Sequence, residues 1–127
     1  MNRASAAAEP VTRLTGSAGF RPHERIRRRE EFQRVYARGS KIHGRFGTLF
    51  LLPNGLTVSR LGIAATRKFG GSVARNRAKR LIRDVFRRNK IASGFDVVVV
   101  PKRALLETSL SAFEAEFRRT LERRVRH

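Results

Sequence analysis

Between Arg67 and Lys90 the chain places ten Lys or Arg side chains and one acid, Asp84, in twenty-four positions, wrapped around an apolar stripe of helical period. Stepped at about 100° per residue, Ala74, Ala78, Leu81, Ile82 and Val85 fall in one sector roughly 100° wide, the width of a face that packs on a core. Asn76, Arg80, Arg83 and Arg87 gather on the opposite side, with Arg77 and Lys79 flanking them. Like charges at i,i+3 and i,i+4 repel by a few tenths of a kcal/mol per pair. The helix must therefore be held by its buried face, and its outer face calls for a polyanion. A merely solvated helix mixes charge signs, which this one does not.

Composition points the same way. The 127 residues suit one domain with a real core, and 29 basic against 10 acidic side chains leave a net charge of +19. A balance so basic is the electrostatic footprint of nucleic-acid binding. No stretch approaches the roughly 18 apolar residues of a spanning helix, and residues 1–19 lack the apolar run of a secretory signal. Residues 1–20 read as a disordered tail with a faint likeness to an organellar transit peptide, and the default compartment is the cytoplasm. Residues 21–124 form the folded unit and 125–127 a short tail. There is no Cys, which excludes disulfides and thiolate metal sites, and His23, His43 and His127 are too scattered for a metal cluster. The acids offer no carboxylate pair or Ser/His/Asp arrangement for protein-borne hydrolysis, and they read as salt-bridge partners of the flanking helices.

Along the folded part, Phe32, Val35 and Tyr36 recur at i, i+3, i+4 and predict a short helix ending at Gly39 in a left-handed cap. Residues 45–53 alternate as a strand buried on both faces. Pro53-Asn54-Gly55 is turn chemistry, so the expectation is a hairpin to a second long strand over 56–66, in which Gly62 marks a bulge, a close backbone approach or a packing accommodation. Gly70-Gly71-Ser72 breaks the pattern, with Ser72 as the expected N-cap of the basic helix, which runs to about Asn89. These glycines match neither a Walker A nor a dinucleotide fingerprint. The run FDVVVVPK from Phe95 is β-branched and uninterrupted, the mark of a central strand. Leu110, Phe113, Phe117, Thr120, Leu121 and Val125 predict a closing amphipathic helix.

The segment ARNRAKRLIRDVFRR at 74–88 resembles the signature of the bacterial ribonuclease P protein family, with Arg75-Asn76-Arg77 as its core triplet. The resemblance spans roughly 24–124. It includes the leading Phe32, Val35 and Tyr36 before Gly39, the basic pair Arg67-Lys68 where lysines are more typical, and the Gly-x-x-Val ahead of the triplet. It implies an α+β fold, an α-β-β-β-α-β-α sandwich with a four-stranded sheet and a left-handed β-α-β crossover, similar to the second domain of ribosomal protein S5. It also implies the protein subunit of ribonuclease P, an endoribonuclease that removes the 5′ leader of precursor tRNA. The catalytic centre then lies in the RNA subunit with Mg²⁺, and the partners are ribonuclease P RNA and precursor tRNA, with no obligate protein partner.

Carried over by position, the RNA-subunit contacts are Arg67, Lys68, Arg75, Asn76, Arg77, Lys79, Arg80, Arg83 and Arg87. Arg75 lies near the edge of the apolar sector, where its stem could cover core instead. The resemblance further implies a cleft for the single-stranded leader, lined by Phe32, Tyr36 and Phe50, with Arg45 at its rim. Where the family often has an aromatic or amide on the first long strand, this chain has Gly47 and Thr48. The same aromatics at the same spacing would equally make an ordinary core. A ribosomal protein or assembly factor of this fold type is the competing reading, and a DNA regulator would need a helix-turn-helix or dimer seam that is not seen. The discriminating feature is convergence of Phe32, Tyr36 and Phe50 beside a basic helix, which a ribosomal protein does not need.

Overall fold

The computed structural model of the chain describes residues 24–89 and 94–125, so the expected tail at 1–20 and His23 lie outside the described residues, as do 126 and 127 of the tail expected at 125–127, whose first residue, Val125, is instead the last of a helix. In chain order the elements are α1 (Arg29–Arg38), β1 (Ser40–His43), β2 (Gly47–Pro53), β3 (Arg60–Ile63), α2 (Ser72–Arg88), β4 (Phe95–Pro101), a 3-10 turn (Arg103–Glu107) and α3 (Leu110–Val125). The four strands form one mixed sheet in the order β1-β2-β4-β3.

β4 lies where its composition predicts. It is antiparallel to β2 along its whole length, from Gly47↔Pro101 to Pro53↔Phe95, and parallel to β3 from Arg60↔Asp96 to Ile63↔Val99. Val97, Val98 and Val99 are buried, as a strand covered on both faces requires. This placement overturns the hairpin expected between 45–53 and 56–66. The turn is present, with Gly55 at φ 72° and Leu56 N–H donating to Asn54 Oδ1 at 2.8 Å. The chain leaving it does not fold back on β2, because β4 occupies that edge, and it forms a strand only over Arg60–Ile63. The hairpin is instead β1 to β2, with Ser40↔Leu51 and His43↔Thr48 in register. Its turn is fixed from across the molecule, since the Glu116 carboxylate of α3 accepts the Arg45 N–H at 2.6 Å and the Phe46 N–H at 3.1 Å.

Alternation along the strands divides the sheet into two faces. Leu49, Leu51, Leu61, Val97 and Val99 pack with Ala78, Ile82, Val85 and Phe86 of α2 and Phe113, Phe117 and Leu121 of α3. Phe50 and Val98, on the opposite face, pack with Ile26 and with Val35 of α1. Burying each such large side chain contributes about 1.5–3 kcal/mol, so the α2 face predicted from angular position is what ties the basic helix down.

Three local expectations change. Gly39 is extended (φ −77°, ψ 161°), not left-handed. Glycine is needed there because a Cβ would lie 2.6 Å from the Val35 carbonyl oxygen and 3.0 Å from that of Leu51. Ser72 is the first helical residue of α2, not its cap; Gly71 holds the cap position, with no capping side chain and no acid in the first turn. The acids are not all partners within the helices, since Asp96 lies in the central strand at 1% exposure. Its carboxylate takes Arg60 Nε at 2.9 Å, Arg60 Nη2 at 2.7 Å and Asn54 Nδ2 at 2.9 Å, and Arg60 Nη1 reaches on to Glu31 of α1 at 2.9 Å. Burial raises the Asp96 pKa, but the hydrogen bonds from Arg60 and Asn54 and the Arg60 and Arg34 charges outweigh it and hold the carboxyl below its usual range. Gly62 is neither a bulge nor a backbone approach but the packing accommodation: it pairs in register with Val98, and a Cβ there would sit 2.8 Å from the Phe32 ring and 3.1 Å from Ile26 Cβ.

Candidate nucleic-acid interface

With one face of α2 bound to the sheet, the opposite face is committed to solvent. Asn76, Arg77 and Arg80 are exposed there, and so are Arg67 and Lys68 in the turn that leads from β3 to the helix. The remaining candidates of the stripe are more constrained. Arg87 is half-buried and paired with Asp84 at 2.6 Å. Arg75 turns back on the loop and donates from Nη1 to the Gly70 carbonyl at 2.9 Å. Arg83 and Lys79 are half-buried and line a notch of about 200 Å³ with Arg25, Arg27 and Phe32.

That notch lies at the β3 edge of the sheet, where the chain ahead of α1 runs alongside, Ile26 N–H donating to the Leu61 carbonyl at 2.9 Å. Burial, and then the facing Arg25 guanidinium, hold the Arg83 pKa below the usual arginine value. Arginine stays protonated all the same. A phosphate oxygen in the notch would relieve the repulsion between these two cations. Arg25 is a member that helical periodicity missed, because it belongs to no helix; the signal available was the density of arginines in 21–29.

Phe32, Tyr36 and Phe50 converge. Tyr36 meets Phe50 edge-on with ring centroids 4.9 Å apart, and Phe32 lies 6.3 Å from Tyr36. Phe50 is the floor of the strip and Tyr36, 40% exposed, its open surface. Burial raises the Tyr36 pKa, so the phenol is neutral and able to donate. The strip has one end at the notch, through Phe32, and the other at β1, where Lys41 Nζ stands 5.8 Å from the Phe50 ring. Lys41 is thus a cation beside the aromatics that the sequence reading omitted; its position opposite Phe50 in the ladder is invisible without the β1–β2 register. Arg45, expected at the rim, stands in the hairpin turn with its guanidinium over Phe46 at 5.5 Å, and Phe46 belongs to the core shared with α2 and α3. Thr48 is buried and faces His43 at 3.5 Å, and Gly47 pairs with Pro101 of β4, where a Cβ would meet the Val100 carbonyl oxygen at 3.1 Å.

Among the described residues no group of three or more His, Cys, Asp or Glu is placed to hold a metal ion. No helix among them is long and apolar enough to cross a membrane.

The family model described as Ribonuclease P matches residues 20–125. A ribonuclease P protein component from Thermotoga maritima is 42% identical over 90 residues, covering 69% of this chain and 77% of that one. Another, from Caldanaerobacter subterraneus, is 34% identical over 101 residues, covering 78% of this chain and 87% of its own length. The solved RNase P protein of Thermotoga maritima superposes with a TM-score of 0.72 at 36% identity, over 79% of this chain and 96% of that chain. That of Staphylococcus aureus gives 0.69 at 27% identity, over 78% and 93%.

Proposed function

The chain belongs to the ribonuclease P protein family and is the protein subunit of an endoribonuclease acting in tRNA 5′ processing, and from this premise we propose how its surface divides the work. The exposed face of α2, with Asn76, Arg77 and Arg80, docks on ribonuclease P RNA together with Arg67 and Lys68. Arg83, Lys79 and Arg25 receive a backbone phosphate at the notch. The strip of Phe32, Tyr36 and Phe50, with Lys41 at its far end, takes the single-stranded 5′ leader of precursor tRNA. The observation that carries this reading is the continuity of the two surfaces: Phe32 lines the same notch as Lys79 and Arg83.

Each part suits its ligand. Arginine forks match phosphate oxygens bidentately, and a guanidinium held in a half-dry notch loses less freedom on binding than one in open solvent. Aromatic faces stack on any base and contribute about 1–3 kcal/mol per base without reading sequence, which suits leaders that differ among precursors. Mg²⁺ belongs to the RNA and its substrate in this reading. The buried carboxylates support that division, because Asp96 is engaged by Arg60 and Asn54, and Glu116 by two backbone amides. The protein's share of the reaction is to hold the leader against the RNA and so to raise affinity for precursor over mature tRNA. The expected setting is the bacterial cytoplasm.

Reconstitution tests it. Wild-type protein with its ribonuclease P RNA is expected to cleave precursor tRNA at low Mg²⁺, and the protein alone to leave it intact. Arg80→Glu plus Arg83→Glu is expected to abolish stimulation; unaltered activity in that variant would remove α2 as the docking face.

A further inference from the structure

Two arginines from separate elements close on consecutive carbonyls of one loop. Arg103 Nη1, from the 3-10 turn after β4, donates to the Phe69 carbonyl at 2.8 Å, and Arg75 Nη1, from the start of α2, donates to the Gly70 carbonyl at 2.9 Å. Phe69 is itself buried, its N–H bonded to the Thr66 carbonyl at 3.0 Å. At Gly70 the backbone runs so close to α2 that a Cβ would lie 3.0 Å from that of Ala74 and 3.7 Å from Arg103 Nη1. Between β3 and this clamp the chain exposes Arg67 and Lys68.

We propose that Arg103 is a positioning residue for docking on ribonuclease P RNA: paired with Arg75, it locks the 69–70 carbonyls and thereby aims Arg67 and Lys68 along the exposed face of α2, without itself touching RNA. The inference rests on the docking role assigned above to that face. Bonds from a guanidinium to a carbonyl are charge-assisted and stronger than neutral ones. Two of them, on adjacent peptide units, fix both the position and the tilt of the loop. Long basic side chains on a loose loop would be ordered only on binding; on a fixed loop that ordering precedes it. The clamp also divides the Arg-Asn-Arg triplet by role. Arg75 holds the loop, while Asn76 and Arg77 face outward.

The test is a double-mutant cycle on the full chain, with affinity for ribonuclease P RNA measured alongside hydrogen exchange of the 66–71 amides in the free protein. Arg103→Ala is expected to weaken RNA binding by about five- to tenfold and to speed exchange in the loop. Arg103→Lys, which keeps a charged donor for the single bond to the Phe69 carbonyl, is expected to recover part of the affinity. In a background of Arg67→Ser plus Lys68→Ser, Arg103→Ala is expected to cost nothing more, since no cations remain to be aimed. Additive losses in the cycle would mark Arg103 as a direct phosphate contact and overturn the proposal. Unchanged loop exchange in Arg103→Ala would overturn the clamp itself. An Arg67→Ser plus Lys68→Ser protein that binds RNA normally would overturn the docking role of the loop, whatever the exchange data say of the clamp.

Discussion

At the scale of single residues, Asp96 shows how a protein with so many cations uses a scarce anion. It sits 1% exposed in the central strand and gathers Arg60, Asn54 and, at 3.8 Å, Arg34. Removing one partner from a buried ion pair strands the other, at a cost of about 3–5 kcal/mol. Arg60 keeps Glu31 as a partner in Asp96→Asn, so the loss expected in urea denaturation is smaller, about 1–3 kcal/mol. The folded Asp96 and Glu31 carboxyls both lie below their ordinary values: for Glu31 burial pulls upward, and the Arg60 bond and charge with the Arg28 and Arg27 amides pull it down further. A depressed carboxyl contributes stability that is complete above its unfolded pKa of about 4 and is lost as pH falls through the lower folded value. Acid titration of wild-type stability should thus steepen below about pH 4, and the Asp96→Asn protein should show a flatter limb. Gly62→Val tests the other exacting position. Its side chain would meet the Phe32 ring, so a loss of about 1–3 kcal/mol is expected, with weaker leader binding. Gly62 was legible only as an exception within its strand, since a bulge, a backbone approach and a side chain packed over it all call for glycine. Asp96 was not, since one acid in a run of valines gives no sign of which cation it will meet.

At the scale of elements, the proposed division of the ligand between α2 and α1 can be tested by disabling each separately. Tyr36→Ala should weaken precursor binding by about 1–3 kcal/mol, equally for leaders of unrelated sequence, and leave affinity for leaderless tRNA unchanged. A loss that varied with leader sequence would indicate base reading in place of stacking. The helices were legible because a 3.6-residue period extends over many residues and each repeat confirms the last. Ala78, Ile82 and Val85 are all buried and Asn76 and Arg80 exposed, as angular position required. The strand partners were not legible. Pro53-Asn54-Gly55 has the chemistry of a hairpin turn, yet nothing local to it reveals that Phe95–Pro101 will enter between the segments on either side. Ser40–His43 gives no local signal of a strand, because four residues, three of them exposed, carry no usable alternation. The notch was hidden for the same reason, being assembled from Arg25, Phe32, Lys79 and Arg83 across more than fifty positions of sequence.

At the scale of the whole molecule, the net charge of +19 acts on both folding and binding. Self-repulsion in the compact state is relieved by any anion that binds it in preference to the unfolded chain. Thermal midpoints are expected to rise with sulfate at constant ionic strength, most of all if the notch is occupied; an unchanged midpoint would refute the idea. For the assembled enzyme, the logarithm of the RNA association constant should fall by roughly 0.7–0.9 per neutralised phosphate for each decade of salt. Arg80→Ala should reduce that slope by about one phosphate, measured by titration at several salt concentrations.

The sheet order has a consequence for how the protein comes into being. The strand at its middle is the last of the four to be translated, so a nascent chain halted before Phe95 lacks both the strand that joins β2 to β3 and the floor on which the cationic helix lies. Such a fragment is a naked polycation. Native structure waits on a single late insertion, and a ribosome-bound series of lengths should become protease-resistant only after Pro101 has cleared the exit tunnel.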